Sequence, residues 1–386
     1  MAGGLSGATL LNVGILLGAS FLVGELFERL GLESILGYIL TGFLLGPSIF
    51  DVMAPGTVTG FATIGATLIL FQAGLKEENI KDIFLHKEGL QLGLLVLLGT
   101  FTVIFGALYV YGASFLPYTT INAFIFLALA YALVDIAVPT KLMLTRGMLR
   151  EDKGTYTVKS SVINVSAGFL LLTLLVILAT PSITEQLIKA GSIIGFALAF
   201  YLLHEAIHKI DDYIMMFEET EAQFAITFAL LLFLSYITQT IGLSSILGAF
   251  FAGVLVSRGD FSDARSFQDK VKGIAEGLFI PIFFAWFGLG LKATVIWNNI
   301  EAAFILFLLS TIVKFIIGYL IPYYHGMDDP YTIAASLLSL DVETLVVIII
   351  GIDLGVLTDE MLQIFAPSVL FTTLTIVTLY SFIDEQ

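Results

Sequence analysis

Four ionisable side chains lie within long apolar stretches of this 386-residue sequence: Asp135, Lys314, Asp341 and Glu343. A charge among apolar residues is costly unless it is paired or has a task. Asp135 lies in YALVDIAVPT and is followed closely by Pro139, which removes a backbone donor and clashes with the preceding helical turn. A helix can therefore break beside Asp135. A carboxylate at a broken helix offers a cation negative charge and free carbonyl oxygens, so we expect Asp135 to bind an ion. The alternative is a buried Asp that is paired with a cation or caps the break.

The other three ionisable residues have assisting or alternative roles. Asp341 and Glu343 lie in SLLSLDVETLV, two positions apart, and cannot share a helix face unless the helix is unwound. We expect Asp341 to bind the ion or to pair with a lysine, and Glu343 to assist or to be structural. Lys314 lies in TIVKFIIGYL. Because burial disfavours the ammonium form, Lys314 could exchange a proton or release a paired carboxylate. A static ion pair with Asp135 or Asp341 is the alternative.

The elements that position these residues are predicted to be membrane-spanning helices. Hydrophobic residues make up 58% of the chain and charged residues 13%, and the mean hydropathy is +0.99. A soluble domain of this length could not bury that much apolar surface. In a bilayer the backbone must be satisfied within the chain, and the long apolar runs lack strand-like alternation. The predicted fold class is therefore an all-α polytopic membrane protein. We expect no cofactor and no nucleic-acid partner.

Thirteen spans are predicted, and the distribution of Lys and Arg orients them. With the N-terminus outside, most of these cations between spans face the cytoplasm, and only Lys189 and Lys292 fall outside. We expect an integral protein of a prokaryotic cell membrane with a cytoplasmic C-terminus. The spans cover approximately residues 7–29, 35–50, 57–75, 90–112, 119–144, 157–180, 187–208, 221–241, 244–257, 267–289, 299–322, 330–352 and 361–383.

Two pairs of similar segments indicate an internal repeat. GLESILGYILTG at 31–42 matches GLSSILGAFFAG at 242–253, and GLKEENI at 74–80 matches GLKATVI at 290–296. The members of each pair are separated by an odd number of spans, so the second copy runs in the opposite direction. Inverted repeats are typical of alternating-access transporters, whose substrate site lies near the midplane. Within a single domain, 1–386, we predict a first repeat (1–183), a linker helix (184–212) and a second repeat (213–386).

Several stretches resemble the hallmarks of a known family. They are LGLESILGYILTGFLLGPS, LILFQAGL, GLSSILGAFFAGVLVS and PIFFAWFGLGL. They look like the monovalent cation:proton antiporter family, in particular its second branch, which contains bacterial sodium/proton antiporters and glutathione-gated potassium efflux systems. The resemblance implies a homodimer. It also implies two broken helices crossing at mid-membrane, here spans five and twelve, in a mobile core sub-domain (about 90–180 and 299–384) beside a dimerisation sub-domain (about 7–75 and 221–289).

The resemblance also implies residue roles and departs from the family in span six. Lys314 matches the core lysine of electrogenic members, and Glu343 matches a family glutamate. In span six the family usually carries an acidic residue that binds both cation and proton, preceded by Asp, Asn or Gln. This chain has Asn164 followed by Val165, which binds neither. Asn164 and Ser166 could still donate oxygen to a cation, or could instead bond neighbouring helices.

A competing motif is HEAIH, which contains His204 and His208 and fits the zinc-protease pattern HExxH. Asp341 could supply a third zinc ligand. The alternative is a solvated helix end, and a protease gives no account of the inverted repeat. We therefore expect no enzyme.

The function predicted from the sequence is secondary active exchange of protons for Na⁺ or K⁺ by alternating access. Asp135, Asp341 and Asn164 would bind the ion, and Lys314, Glu343 and Ser166 would assist. Because Val165 replaces the usual Asp, a second hypothesis keeps the fold without exchange, as a sensor, a leak pathway or a carrier of another solute. An intramembrane zinc metalloprotease is the remote alternative.

Overall fold

The chain is described by a computed structural model that covers most of its length. It describes residues 7–30, 34–75, 87–116, 120–135, 143, 148, 151–179, 182–215, 220–241, 245–257, 259, 265–340 and 342–384. Pro139 and Asp341 lie outside these ranges. The side chains of His204, His208 and Glu343 also lie outside the description, although their backbones are helical.

Helices dominate the described ranges. They are α1 (Gly7–Arg29), α2 (Ser34–Leu45), α3 (Thr59–Leu75), α4 (Lys87–Phe115), α5 (Ile121–Ala132), α6 (Asp152–Leu178), α7 (Ile183–Met215), α8 (Thr220–Thr240), α9 (Ser245–Val256), α10 (Arg265–Ile274), α11 (Ile280–Leu289), α12 (Ala293–Asn298), α13 (Ile300–Tyr324), α14 (Pro330–Ser336), α15 (Val342–Asp353) and α16 (Asp359–Asp384). A π-helical turn, Ala275–Phe279, joins α10 to α11. Within the described residues, eight helices are long and apolar enough to cross a membrane. The prediction of an all-helical membrane protein is therefore confirmed.

Every predicted span overlaps at least one of these helices, and the number of thirteen crossings stays a prediction. Span twelve is interrupted, because α14 ends at Ser336 and α15 begins at Val342. Span five differs from the expectation of a helix over 119–144 that breaks near Pro139. Its helix α5 ends at Ala132, and the next residue, Leu133, is extended (φ −69°, ψ 151°). The helix thus ends shortly before Asp135, whereas the sequence predicted a break beside it.

One compact unit of the chain consists of Met1–Leu30, Ser34–Glu78 and Thr180–Leu291, and we call it the glycine-packed unit. A methyl group added to Gly42 on α2 would lie 1.8 Å from the carbonyl oxygen of Ala285 on α11. One added to Gly253 on α9 would lie 2.2 Å from the carbonyl oxygen of Phe71 on α3. Side chains cannot approach a backbone oxygen so closely, so glycine is required where these helices meet.

The second unit consists of Gly31–Glu33, Asn79–Ala179 and Lys292–Gln386, and we call it the polar unit. Its helices α4 and α13 pack on each other, α4 also packs on α5 and α6, and α13 also packs on α14 and α16. A buried apolar cluster joins Val96 of α4 to Val134, which follows α5, and to Leu337, which follows α14. The ends of α5 and α14 therefore lie in a buried interior, where every backbone polar group needs a partner.

Candidate functional site

Side chains from two other helices bind successive backbone carbonyls at the end of α5. The last carbonyls of a helix have no partner within the helix and carry partial negative charge. These donors explain how α5 can end inside the protein without a proline at the break. The bonds are Ser310 Oγ to Tyr131 O at 2.9 Å, Asn164 Nδ2 to Ala132 O at 3.2 Å, and Lys314 Nζ to Leu133 O at 2.5 Å.

Asn164 is buried on α6 and its amide is bonded at both ends to backbone. Its Oδ1 accepts a hydrogen bond from the amide of Val134 at 3.0 Å. Its Nδ2 donates to the carbonyl of Ala132 and, at 3.4 Å, to that of Gly93 on α4. In this arrangement Asn164 holds the extended segment in place of a helical hydrogen bond. Its neighbour Val165 is also buried.

Lys314 is fully buried on α13, one turn beyond Ser310 on the same helix. Its ammonium bonds the carbonyl of Leu133, and the charge of Asp135 acts on it. A cation is favoured at the C-terminal end of a helix, so the end of α5 and Asp135 together stabilise the ammonium. An alkali cation, which takes oxygen ligands, would find the same carbonyl and carboxylate.

Asp135 joins the two interrupted segments of the polar unit. Its carboxylate is 1% exposed. Its backbone amide donates to the carbonyl of Ser339 at 3.1 Å, and Oγ of Ser339 donates to Oδ2 of Asp135 at 3.4 Å. Because Ser339 lies between α14 and α15, the break after α5 and the break after α14 meet at these two residues.

The sequence-predicted site residues are thus partly gathered at one place. The structure brings Asp135, Asn164 and Lys314 together at the end of α5. Ser166 is half-buried on α6. Asp341 lies outside the described residues, as do the side chains of Glu343, His204 and His208.

Ser310 and Ser339 were not predicted from the sequence. Ser310 had a detectable signal, because it lies one helical turn from Lys314 and therefore on the same face. Ser339 lies in the segment that carries Asp341, but only the meeting of the two breaks reveals its contact with Asp135.

A second polar group secures the other end of α14. Asp329 caps this helix by accepting bonds from the amide and hydroxyl of Thr332 at 3.0 and 2.6 Å, and Lys153 of α6 bonds it at 3.1 Å. Burial opposes ionisation of Asp329, but the bonds from Thr332 and Lys153 outweigh it and hold the pKa of that carboxyl below its ordinary value. The cap therefore ties α14 to α6.

A family model described as sodium/hydrogen exchanger, transmembrane, matches residues 16–382. The chain belongs to the sodium/hydrogen exchanger family. The match covers the helices of both units and confirms the resemblance seen in the sequence motifs.

Similarity to individual proteins is consistent with this family assignment. The chain is 26% identical over 313 residues to a Na⁺/H⁺ antiporter of Enterococcus hirae, covering 79% of each protein. It is 27% identical over 375 residues to probable Na⁺/H⁺ antiporter 3 of Methanocaldococcus jannaschii, covering 94% of this chain and 93% of the relative. The solved structure of the sodium proton antiporter MjNhaP1 from the same archaeon has a similar fold, with a TM-score of 0.71 at 16% identity over 96% of this chain and 95% of that one. These relatives are transporters, so they give the zinc-protease hypothesis for His204 and His208 no support.

Proposed function

We propose that this chain exchanges protons for Na⁺ or K⁺ across a membrane by alternating access, with Asp135 as the group that carries either the proton or the cation. The observation that carries the proposal is the ammonium of Lys314 on the carbonyl of Leu133, beside the buried Asp135. Membership of the sodium/hydrogen exchanger family and the similarity to Na⁺/H⁺ antiporters support the same reaction.

Exchange requires that the two cargoes compete for one group. In the empty site, Lys314 compensates the anionic carboxylate of Asp135. An arriving cation binds that carboxylate and the carbonyl of Leu133 and displaces the ammonium. On the opposite side of the membrane the cation leaves and a proton takes its place on the carboxylate. One negative group thus carries one positive cargo in each direction.

Asn164 positions the site in this proposal, and Val165 contributes no charge. Because both ends of the Asn164 amide bind backbone, we assign it to holding the extended segment at Val134. We expect Asp341 to add a second carboxylate, with Glu343 and Ser166 assisting. Asp135 would then take over the role of the carboxylate that the family usually has in span six.

Two similar close contacts within the glycine-packed unit support an inverted repeat, which is typical of alternating-access transporters. A methyl group at Gly37 on α2 would meet the backbone of Gly24 on α1, and one at Gly248 on α9 would meet the backbone of Ser235 on α8. The separation of Gly24 from Ser235 in the sequence is the same as that of Gly37 from Gly248. These matching contacts are what two repeats with equivalent helices would make.

We further propose the arrangement that this mechanism needs. The polar unit would be the mobile core, with the breaks after α5 and α14 crossing at mid-membrane. The glycine-packed unit would form the dimerisation sub-domain of a homodimer. The N-terminus would lie outside and the C-terminus in the cytoplasm, as the positions of Lys and Arg favour.

The test is proton flux into proteoliposomes that contain the purified wild-type protein and a pH-sensitive dye. An imposed gradient of Na⁺, K⁺ or Li⁺ is expected to change the internal pH, and a choline gradient is expected to leave it constant. If no alkali cation drives flux, the proposal fails. If Val165→Asp then gains flux, the wild-type chain is a sensor or a carrier of another solute.

A further inference from the structure

Helices α4 and α13 carry matching ladders of aromatic rings. In each ladder three rings stack at one-turn intervals, with centroids 6.1 Å apart at both steps on α4 and 6.4 and 6.3 Å apart on α13. Each ladder member on α4 is separated from its counterpart on α13 by the same number of residues. The two helices are therefore equivalent in sequence register. The ladders are Phe101, Phe105 and Tyr109, and Phe315, Tyr319 and Tyr323.

The buried faces of the two helices follow the same register. Ile104 and Leu108 are fully buried on α4, and their counterparts Gly318 and Pro322 are buried on α13. In this register the counterpart of Lys314 is Thr100, which is also 0% exposed. The position that carries an ammonium in one half of the polar unit thus carries a hydroxyl in the other.

The segments that face these two positions are also equivalent. Leu133 follows the end of α5 as Leu337 follows the end of α14, and Asp135 and Ser339, two residues further on, are bonded to each other. Lys314 reaches the carbonyl of Leu133. The same geometry predicts that Thr100 faces the break that begins at Leu337.

The contacts of a neighbouring residue on α4 agree with this position of Thr100 without reference to the register. Val96 packs in one cluster with Val134 and Leu337. Thr100 lies one helical turn further along the same buried face of α4. Its Oγ1 is buried and has no hydrogen-bond partner among the described residues. A buried hydroxyl without a partner is unfavourable, so such a group suggests a ligand. Threonine is much shorter than lysine, so it cannot make the carbonyl contact that Lys314 makes.

We propose that the hydroxyl of Thr100 is a ligand of the monovalent cation when the cation has displaced Lys314. The cation would then be held by Asp135 and the carbonyl of Leu133 on one side and by Thr100 on the other. A neutral hydroxyl oxygen suits a monovalent cation and does not compete for the exchanged proton. This inference rests on the proposed exchange function and adds a residue that sets the affinity for the cation.

The test measures the cation concentration that gives half-maximal proton flux in proteoliposomes. Thr100→Val keeps the shape of the side chain and removes the hydroxyl, so half-saturation by Na⁺ or K⁺ should rise by about three- to tenfold with little change in maximal rate. Thr100→Ser keeps the hydroxyl and should remain near wild type. The matched control is Thr102→Val, since Thr102 is exposed and its hydroxyl bonds the carbonyl of Leu98 in its own helix at 2.7 Å.

The outcomes separate this inference from the proposed function. If wild type shows no cation-driven flux, the proposed function fails, and the inference fails with it. If wild type is active and Thr100→Val saturates at the same cation concentration, only the role of Thr100 is wrong. A role limited to packing would lower the maximal rate or the yield of monodisperse protein in Thr100→Val without changing half-saturation. Should Thr100→Val not fold, Thr100→Ala, which also removes the hydroxyl, takes its place: a rise in half-saturation of about threefold or more supports the inference, and unchanged half-saturation overturns it.

Discussion

The glycine-packed unit and the polar unit satisfy their buried groups in different ways. In the first, hydroxyls bond carbonyls of their own helix, as Thr41 does to Gly37 and Thr238 to Leu234, and helices meet backbone to backbone at glycine. In the second, hydroxyls such as that of Thr102 also bond their own helix, but Lys314 and Asn164 reach across to the backbone of another segment. Close backbone contacts make a rigid scaffold, because packed interiors do not deform continuously. Bonds from side chains to open carbonyls can be exchanged for bonds to a cation. We therefore propose that the glycine-packed unit is the rigid scaffold and that the polar unit carries the binding chemistry.

The largest effect should come from removing the buried carboxylate of the polar unit. Asp135→Asn keeps size and polarity but has no ionisable group that could exchange a proton for a cation, so cation-driven proton flux should fall to the level of empty liposomes. Asp359→Asn is the control, because Asp359 is exposed in the first turn of α16. Flux is measured in proteoliposomes with equal protein content. Substantial flux through Asp135→Asn would move the exchanging carboxylate to another residue.

Replacing the buried lysine should have a smaller effect on transport. Lys314→Ala leaves the carbonyl of Leu133 without its donor and the charge of Asp135 without compensation. We expect slower or uncoupled flux, and a loss of stability of about 1–3 kcal/mol from the unpaired buried carbonyl. Proton flux and ²²Na⁺ uptake measured on the same vesicles separate slow exchange from uncoupling. Unchanged rate and coupling would show that the ammonium has a static role.

In the glycine-packed unit, a single methyl group should destabilise the protein without changing the chemistry. In Gly253→Ala the new methyl group would meet the carbonyl oxygen of Phe71. Overpacking of this kind costs about 1–3 kcal/mol. The melting temperature in detergent should fall, while half-saturation by the cation stays constant. Gly18→Ala is the matched control, since nothing lies within 4 Å of the added group, and it should melt at or above the wild-type temperature. Equal melting of the two variants would contradict the proposed close packing.

The smallest expected effect is a change in stability with pH that comes from the cap of α14. The pKa of Asp329 is lowered in the folded protein, so its contribution to stability is complete above the unfolded value of about 4 and is lost as the pH falls through the folded value. Because Asp329 is partly exposed, the contribution should be below about 1 kcal/mol. Asp329→Asn still caps the helix but loses the charge that pairs with Lys153. The melting temperature of wild type should therefore fall more between pH 6 and pH 3 than that of the variant, and parallel curves would contradict this.

Local sequence patterns were sufficient to predict the class of membrane protein and to single out the three polar residues at the end of α5. Apolar runs indicate helices because a bilayer leaves the backbone no other partner. Asp135, Asn164 and Lys314 stand out because polar groups in such runs need partners. Their roles in binding stay predictions.

The position of the break could not be predicted in the same way. Pro139 suggested a break beside Asp135, whereas α5 already ends at Ala132. The donors that make this possible, including Ser310, come from helices distant in the sequence. Only the packing of α6 and α13 against α5 brings them to the free carbonyls, and no local pattern encodes that packing.

The central claim is that one carboxylate, Asp135, carries either a proton or a cation. It is tested most directly by proton release from purified protein in weakly buffered detergent solution, followed with a pH indicator as NaCl, KCl or choline chloride is added at a series of starting pH values, because only molecules whose Asp135 holds a proton can release one. We predict that wild type releases protons on addition of Na⁺ or K⁺ and not of choline, and that Asp135→Asn releases none. Equal release from wild type and Asp135→Asn, or no release from wild type with any alkali cation, would contradict the account.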